Sequence, residues 1–389
     1  MNLLRILHVI TDLNVGGAET MLYRLLTSSA PGDVHEVVSL TDLGPIAERI
    51  QRLGVRTQAL GMRRLPTPAA LQRLFRLVRD VRPDVVQTWM YHADLLGGLA
   101  ARAAGAGRIV WGVHASSLDV TKAHRTTHWT VAICAMLSRW VPDRIVCVSR
   151  MSRDLHVAAG YSPEKFIVIP NGFDLAEYKP DAASRRDVRR EFGVDDDCVV
   201  IGVVARVHPQ KDHLNFIRAA GLLSRSRPNV KFLICGEGAT ASNEGLVRAI
   251  ASEAPLDRFL LLGPRADTPR VMNGLDIGTL SSSWGEAFPL VIGEAMACGV
   301  PCVVTDVGDC AYLVGTTGRV VPPRNAEALA QAWDECVQMG PAGRRRAGLA
   351  ARRRIEANFS LSRIAEEYAA AHRGTDPGPA EPAPVRSLV

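Results

Sequence analysis

Ile277-Gly278-Thr279-Leu280-Ser281-Ser282-Ser283-Trp284-Gly285-Glu286-Ala287-Phe288-Pro289-Leu290-Val291-Ile292-Gly293-Glu294-Ala295-Met296-Ala297-Cys298-Gly299-Val300-Pro301-Cys302-Val303-Val304 reads as a strand, a polar loop, a helix and a returning strand. A short apolar run predicts a strand over 276–280. Pro289 suits the first turn of a helix, where its missing N–H costs nothing. Gly299 and Pro301 are helix stop signals, and Val303-Val304 resumes the sheet. This is one βαβ unit. Glu286 lies in its loop, while Glu294 falls inside a helix otherwise built from Leu, Val, Ile, Ala and Met, so its carboxylate needs a partner.

The same alternation extends in both directions. Further strands are predicted at 4–10, 34–40, 55–60, 84–88, 108–114, 144–148 and 166–169, then at 198–205, 230–235, 258–262 and 302–305. Helical patterns lie between them, as at 68–81, 211–226, 243–254, 289–298 and 325–339. Such alternation predicts an α/β fold with parallel sheets. The turn-rich segment from Pro170-Asn171-Gly172 to Pro180-Asp181 breaks it. Two Rossmann-like domains are therefore expected, 1–175 and 180–355, with a last helix at 360–372 and a Pro-, Gly- and Ala-rich disordered tail over 374–389. Ligands in doubly wound sheets bind at the C-terminal ends of the strands, so two such domains facing each other would offer a cleft.

Composition sets bounds. A chain of 389 residues with 47% hydrophobic and 22% charged residues can bury two cores. The net charge of +6 suits small anions, phosphates or an anionic membrane surface, or is an ordinary Arg-rich surface. Much of the excess sits at Arg344, Arg345, Arg346, Arg352, Arg353 and Arg354, expected to be the solvated face of a late helix. The eight cysteines form no C-x-x-C pair and read as reduced and structural, which predicts a cytoplasmic protein. Neither a signal peptide nor a spanning helix is expected. Aromatics are 5% and are not interleaved with a basic stripe, so no nucleic-acid partner is expected.

The loops carry the candidate chemistry. Thr11 to Glu19 holds Gly16-Gly17 between a strand and a helix, where backbone and helix N–H groups can meet an anion, although a tight turn is the plainer explanation. His114 ends the apolar strand Val110-Trp111-Gly112-Val113, either as a donor to substrate or as a structural histidine. Arg206 and Lys211 follow the strand at 198–205 and fit a diphosphate, the Arg as a fork and the Lys as a point charge. Ribose hydroxyls would suit Glu294. The amides of Ala287, Phe288, Pro289 and Leu290, Pro289 lacking an N–H, make up a second anion-receptive helix start.

These segments resemble the retaining glycosyltransferases of family 4, which have the GT-B fold. Glu286 to Glu294 matches the E-x(7)-E signature and Arg206 to Lys211 the R-x(4)-K pattern. Gly16-Gly17-Ala18-Glu19, Val168-Ile169-Pro170-Asn171-Gly172 and Gly299-Val300-Pro301-Cys302-Val303-Val304 are similar to that family too, and the likeness runs from about residue 4 to residue 370. The bacterial enzymes that build lipopolysaccharide, capsule or exopolysaccharide are the nearest in character. The resemblance implies an acceptor-side N-terminal domain, a nucleotide-sugar-binding C-terminal domain and a C-terminal helix, 360–372, that crosses back to the N-terminal domain, with a donor site of Gly16, Gly17, Arg206, Lys211, Glu286, Ala287, Phe288, Pro289, Leu290 and Glu294. His114 would contact the transferred sugar. Arg206 and Lys211 would stabilise the leaving diphosphate, Glu286 orient sugar hydroxyls and Glu294 hold the ribose. Two departures stand out: Asp306-Val307-Gly308-Asp309 replaces a common glycine pair, and Gly236-Glu237-Gly238 is a short loop.

The resemblance further implies transfer of a hexose-type sugar from a UDP- or GDP-sugar to a saccharide or lipid-linked saccharide. The acceptor hydroxyl would attack on the face that the diphosphate leaves. No cofactor and no metal are expected, because the cations and helix amides would stabilise the leaving group; Asp195-Asp196-Asp197 reads as a solvated turn. The alternatives are a sugar-nucleotide epimerase of the same fold and a non-catalytic assembly subunit; no pyridoxal-phosphate lysine motif supports a phosphorylase. If the acceptor is lipid-linked, peripheral contact with the cytoplasmic face of the inner membrane is expected through Arg63-Arg64, Arg73, Arg76, Arg79 and the stretch 121–140 with Lys122, Arg125, Trp129, Ile133, Leu137 and Trp140. That stretch reads first as a helix packed on its own domain.

Overall fold

Runs of β-branched residues buried on both faces make the strands, and each must be joined to its parallel neighbour by a helical crossover. The computed structural model describes residues 3–29, 32–62, 67–114 and 125–375, the side chains of 125 and 126 excepted. It divides into two units, residues 1–172 with 361–380 and residues 173–360. The first holds β1 (Arg5–Ile10), β2 (Val34–Ser39), β3 (Arg56–Ala59), β4 (Val85–Trp89), β5 (Arg108–Val113), β6 (Arg144–Cys147) and β7 (Phe166–Val168) in the order β3-β2-β1-β4-β5-β6-β7. The second holds β8 (Val199–Val204), β9 (Val230–Cys235), β10 (Phe259–Leu261), β11 (Ile277–Leu280), β12 (Cys302–Thr305) and β13 (Arg319–Val321) in the order β10-β9-β8-β11-β12-β13. All pairings are parallel. Each unit is Rossmann-like, with its strand order reversing between β1 and β4 or between β8 and β11.

In the first unit one core contains Leu7, Val9, Val86, Trp111 and Val113. The opposite core contains Ile6, Ile10, Val85, Trp89 and Val110 together with Leu361, Ile364 and Tyr368 of the terminal helix Leu361–Arg373. That helix closes one face of the first sheet although it follows the whole second unit in sequence. Gly374 and Thr375 still cap it through bonds to the carbonyls of Ala371 and Ala370; the rest of the expected tail, 376–389, lies outside the described residues, as do Arg63, Arg64 and Lys122.

Three features depart from the sequence expectation. β13 has three residues, two of them exposed, too few to show a period. The helices Ala182–Glu191 and Thr268–Gly274 were not anticipated either: the first is almost wholly polar and the second has seven residues. The arginine run is not one solvated face. Within the helix Gly340–Asn358, Arg345, Arg346 and Arg353 are exposed, but Arg344 is buried and donates to the carbonyls of Cys336 and Val337. Arg352 donates to the carbonyls of Tyr178 and Ala297, and Arg354 to those of Tyr312 and Leu313. The guanidinium fork satisfies carbonyls left over where other elements end, which charge counting along the chain cannot foresee. All eight cysteines are free thiols. No helix among the described residues is long and apolar enough to cross a membrane.

Asp94, in the first turn of the helix Tyr91–Ala104, is wholly buried and accepts from the Thr88 hydroxyl at 2.6 Å and the Gly112 N–H at 3.3 Å. Burial raises its carboxyl to about 8 against those two bonds. Burial also depresses His8, His156 and His114, the last to about 4, and His372 to about 3. Because its folded pKa is raised, Asp94 loses stability as pH climbs to about 8. The histidines, whose folded pKa values are lowered, lose it as pH falls below 6.5. The unfolding free energy of the first unit should therefore pass through a broad maximum near pH 7, where the histidine gain and the Asp94 loss balance, and fall by less than about 1 kcal/mol by pH 9. Urea titrations of the parent and of Asp94→Asn should show this alkaline limb flattened in the variant.

Candidate active site

The second unit's candidate residues gather where β8 and β11 end side by side. After β8 the chain passes Arg206 and makes a short turn, Pro209–Lys211, in which His208 Nδ1 accepts from the Gln210 N–H at 3.2 Å. After β11, Ser281 donates to the Lys211 carbonyl at 2.7 Å and the Ser283 N–H to the Gln210 carbonyl at 2.9 Å. Gln210 Nε2 donates in turn to the Gly285 carbonyl at 2.7 Å. Polar bonds thus join the two loops at three points, which places Lys211 against Glu286.

The Lys211 ammonium lies 2.5 Å from Glu286 Oε1, with the side chains 19% and 8% exposed. Ser282 donates its hydroxyl to the same carboxylate oxygen at 2.6 Å. Thr305, the last residue of β12, donates to the Ser282 carbonyl at 2.7 Å and fixes that serine from behind. A buried ion pair holds when further hydrogen bonds satisfy it, and Ser282 supplies one. Arg206 is exposed and has no ion-pair partner among the described residues, so its guanidinium is available to an anion. Glu294 is buried in the helix Leu290–Ala297. Pro289 stands at the N-cap rather than inside the first turn. Phe288 is buried, with its ring centroid 5.3 Å from that of Phe359 and 6.3 Å from that of Phe173, so its side chain is core. Among the described residues no group of three or more His, Cys, Asp or Glu is gathered in a way that could hold a metal ion.

The segment after β12, Asp306-Val307-Gly308-Asp309, clamps this loop. The Asp309 N–H donates to the Ala287 carbonyl at 3.0 Å. Gly308 has φ of +63°, and a Cβ there would fall 1.9 Å from the Glu286 carbonyl oxygen. Sequence reasoning missed Ser282, Gln210 and Thr305, although Gln210 stands inside the R-x(4)-K pattern and Ser282 lies four residues before Glu286; it marked the Asp306–Asp309 segment without foreseeing the part Gly308 plays.

In the first unit Gly16 is the N-cap of the helix Gly17–Thr27. A Cβ on Gly17 would meet nothing within 4 Å, whereas one on Gly16 would meet the Glu19 carboxylate. That helix start is therefore already faced by an anion of the protein, and burial raises the Glu19 carboxyl. His114 follows β5. Its ring stacks on Trp89 at 5.1 Å, and its Nε2 is buried without a hydrogen-bond partner among the described residues. The structure thus brings Lys211 and Glu286 into contact and places His114, Gly16 and Gly17 in the other unit.

Comparison with known proteins places this architecture. A model described as Glycosyltransferase Family 4 matches residues 15–177, and one described as Glycosyl transferases group 1 matches residues 198–339. The chain belongs to the family 4 glycosyltransferases. It is similar to the UDP-Gal:alpha-D-GlcNAc-diphosphoundecaprenol alpha-1,3-galactosyltransferase of Escherichia coli, 30% identical over 243 residues that make up 61% of this chain and 62% of that protein. The match thus spans less than two thirds of that relative's length. It is also similar to the putative glycosyltransferase EpsF of Bacillus subtilis, 25% identical over 78% of this chain and 79% of that one. The crystal structure of Anabaena HepE in complex with UDP superposes with a TM-score of 0.82 over 95% of this chain and all of that one, at 22% identity. The fold of this family 4 member is GT-B.

Gly308→Ala should destabilise the second unit, because the new methyl meets a backbone carbonyl at a backbone angle that L-residues disfavour. A loss above about 1 kcal/mol is expected, a fall of at least about 2 °C in melting temperature by calorimetry.

Proposed function

We propose that this protein is a retaining glycosyltransferase that moves a hexose-type sugar from a UDP- or GDP-sugar to a saccharide or lipid-linked saccharide in the synthesis of a cell-surface glycan. The Lys211–Glu286 pair at the strand-order reversal of the second unit, with Arg206 exposed on the same loop, carries this reading. Arg206 and Lys211 receive the diphosphate and stabilise its departure, in place of a metal. The backbone at Ala287, Phe288 and Leu290 donates to phosphate or sugar. Glu286 orients sugar hydroxyls and Glu294 holds the ribose. His114, Gly16 and Gly17 serve the transferred sugar and the donor phosphate. The E-x(7)-E and R-x(4)-K spacings support retention. The acceptor class draws support from the Escherichia coli relative, whose name specifies a diphosphoundecaprenol-linked sugar.

A lipid-linked acceptor calls for work at a membrane surface, and we assign that contact to the outer face of three adjacent helices. On Arg125–Leu137 and the turn after it, Trp129, Ile133, Met136 and Trp140 are exposed at helical spacing, while Val131, Cys134 and Ala135 are buried. The helix thus packs on its own unit and still presents two indoles outward; Leu137 is half-buried against the core. The neighbouring helices Pro68–Val81 and Tyr91–Ala104 add exposed Arg73, Arg76, Arg79 and Arg102, with Asp80 as their exposed acid. Tryptophans with a basic surround suit an anionic bilayer surface. Replacing Trp129 and Trp140 together by Ser should cut sedimentation with phosphatidylglycerol vesicles at low salt by about tenfold or more, while melting stays unchanged; no binding by the parent would refute the contact.

The donor site is tested by thermal stabilisation with UDP, GDP, ADP and TDP, with and without chelator. One diphosphate should raise the melting temperature, chelator or not. No shift with any of the four would shift weight to a non-catalytic subunit, and turnover of a nucleotide sugar without acceptor would favour an epimerase. With the donor identified, Lys211→Ala should lower kcat by roughly a hundredfold or more. Glu294→Ala should weaken diphosphate binding roughly tenfold by calorimetry, consistent with a lost charge-assisted hydrogen bond.

A further inference from the structure

Trp89 ends β4 beside His114, and the register places both on one face of the sheet. Gln87 pairs with Val110, so Trp89 and Gly112 follow level with each other, and the Met90 N–H donates to the Gly112 carbonyl. With side chains alternating, Gln87, Trp89, Val110, Gly112 and His114 share a face. The terminal helix Leu361–Arg373 covers that face. Its Tyr368 stacks on Trp89 at 5.9 Å and 20°, and Trp89 stacks in turn on His114 at 5.1 Å and 25°. The indole N–H donates to His8 Nδ1 at 3.3 Å, which fixes the ring in its plane. One helical turn beyond Tyr368, His372 pairs with Gln87 Oε1 at 3.1 Å. Trp89 is fully buried and Tyr368 is 1% exposed, so neither touches a ligand directly.

We propose that Tyr368 and Trp89 are positioning residues for His114: a three-ring stack by which the C-terminal helix sets the imidazole that faces the transferred sugar. The inference rests on the role proposed for His114. Stacked rings in offset geometry hold orientation at little entropic cost. Small displacements of a substrate-facing group carry large rate penalties. The terminal helix therefore belongs to the working parts of the first unit as well as to its core.

The test compares Tyr368→Phe, Tyr368→Leu and Trp89→Phe in the full-length chain. Tyr368→Phe keeps the ring and should behave as the parent. Tyr368→Leu should lower kcat roughly ten- to a hundredfold. Its donor KM and its stabilisation by nucleoside diphosphate should stay within about twofold, since the second unit is untouched. Independently of activity, the imidazole signals of His114, assigned by its replacement and followed by long-range ¹H–¹⁵N correlation spectra, should move in Tyr368→Leu and Trp89→Phe and stay in Tyr368→Phe. If Tyr368→Leu does not fold, Trp89→Phe and the spectra decide. Unmoved His114 signals would overturn the stack. Moved signals with unchanged kcat would overturn its positioning role. A parent without transferase activity, yet with His114 signals that respond, would refute the proposed reaction and leave the three-ring contact standing.

Discussion

Parallel strands cannot be joined by tight turns, and the rest of this molecule follows from that constraint. Every strand must be followed by a crossover that returns along one face of its sheet. Where the strand order reverses, the two chains leaving adjacent strands go to opposite faces and the strand ends between them stay uncovered. The reversal falls between β8 and β11 in one unit and between β1 and β4 in the other. The loops after β8 and β11 supply Arg206, Lys211, Ser282 and Glu286. The loops after β1 and β4 begin at Thr11 and Met90, with His114 one strand further out.

Within the second unit the exposed strand ends are made into a site by a buried charge pair. Lys211 and Glu286 are too far apart in sequence to define each other, and burying both charges costs more than their attraction returns unless other bonds help. Ser282, Gln210, Thr305 and the backbone clamp at Gly308-Asp309 provide those bonds. The pair holds the loops of β8, β11 and β12 in one arrangement, with a cation available to any ligand that can share it with the carboxylate. In the proposed reaction these groups are rigid donors where negative charge develops, with little reorganisation when it does.

Much of this was legible in the sequence. Val- and Ile-rich runs separated by amphipathic stretches specify parallel α/β units, because a strand buried on both faces leaves no alternation to read. Gly299 and Pro301 mark the helix end within a residue or two. Glu286, Glu294, Arg206 and Lys211 could be picked out because charges beside buried strands need a reason. Short or polar elements were illegible: β13 is three residues long, and the helix Ala182–Glu191 presents almost no apolar stripe. The arginines of the helix Gly340–Asn358 misled for a related reason, since a guanidinium that satisfies a distant carbonyl looks the same in sequence as one in water.

By itself, then, the sequence determined the fold class, the two-unit plan and the residue types around the candidate site, all of which depend on local periodicity and on motifs a few residues wide. Tertiary structure alone decided which of those residues touch. Ser282 joins Glu286 only once the loop has curled back, and Thr305 supports it only because β11 and β12 pair. Tyr368 reaches Trp89 only because the chain returns to its first sheet after completing the second unit. Contacts between residues tens or hundreds of positions apart leave no period in one sequence; they arise when burial brings helices onto sheet faces and leaves each buried polar group to find its partner there.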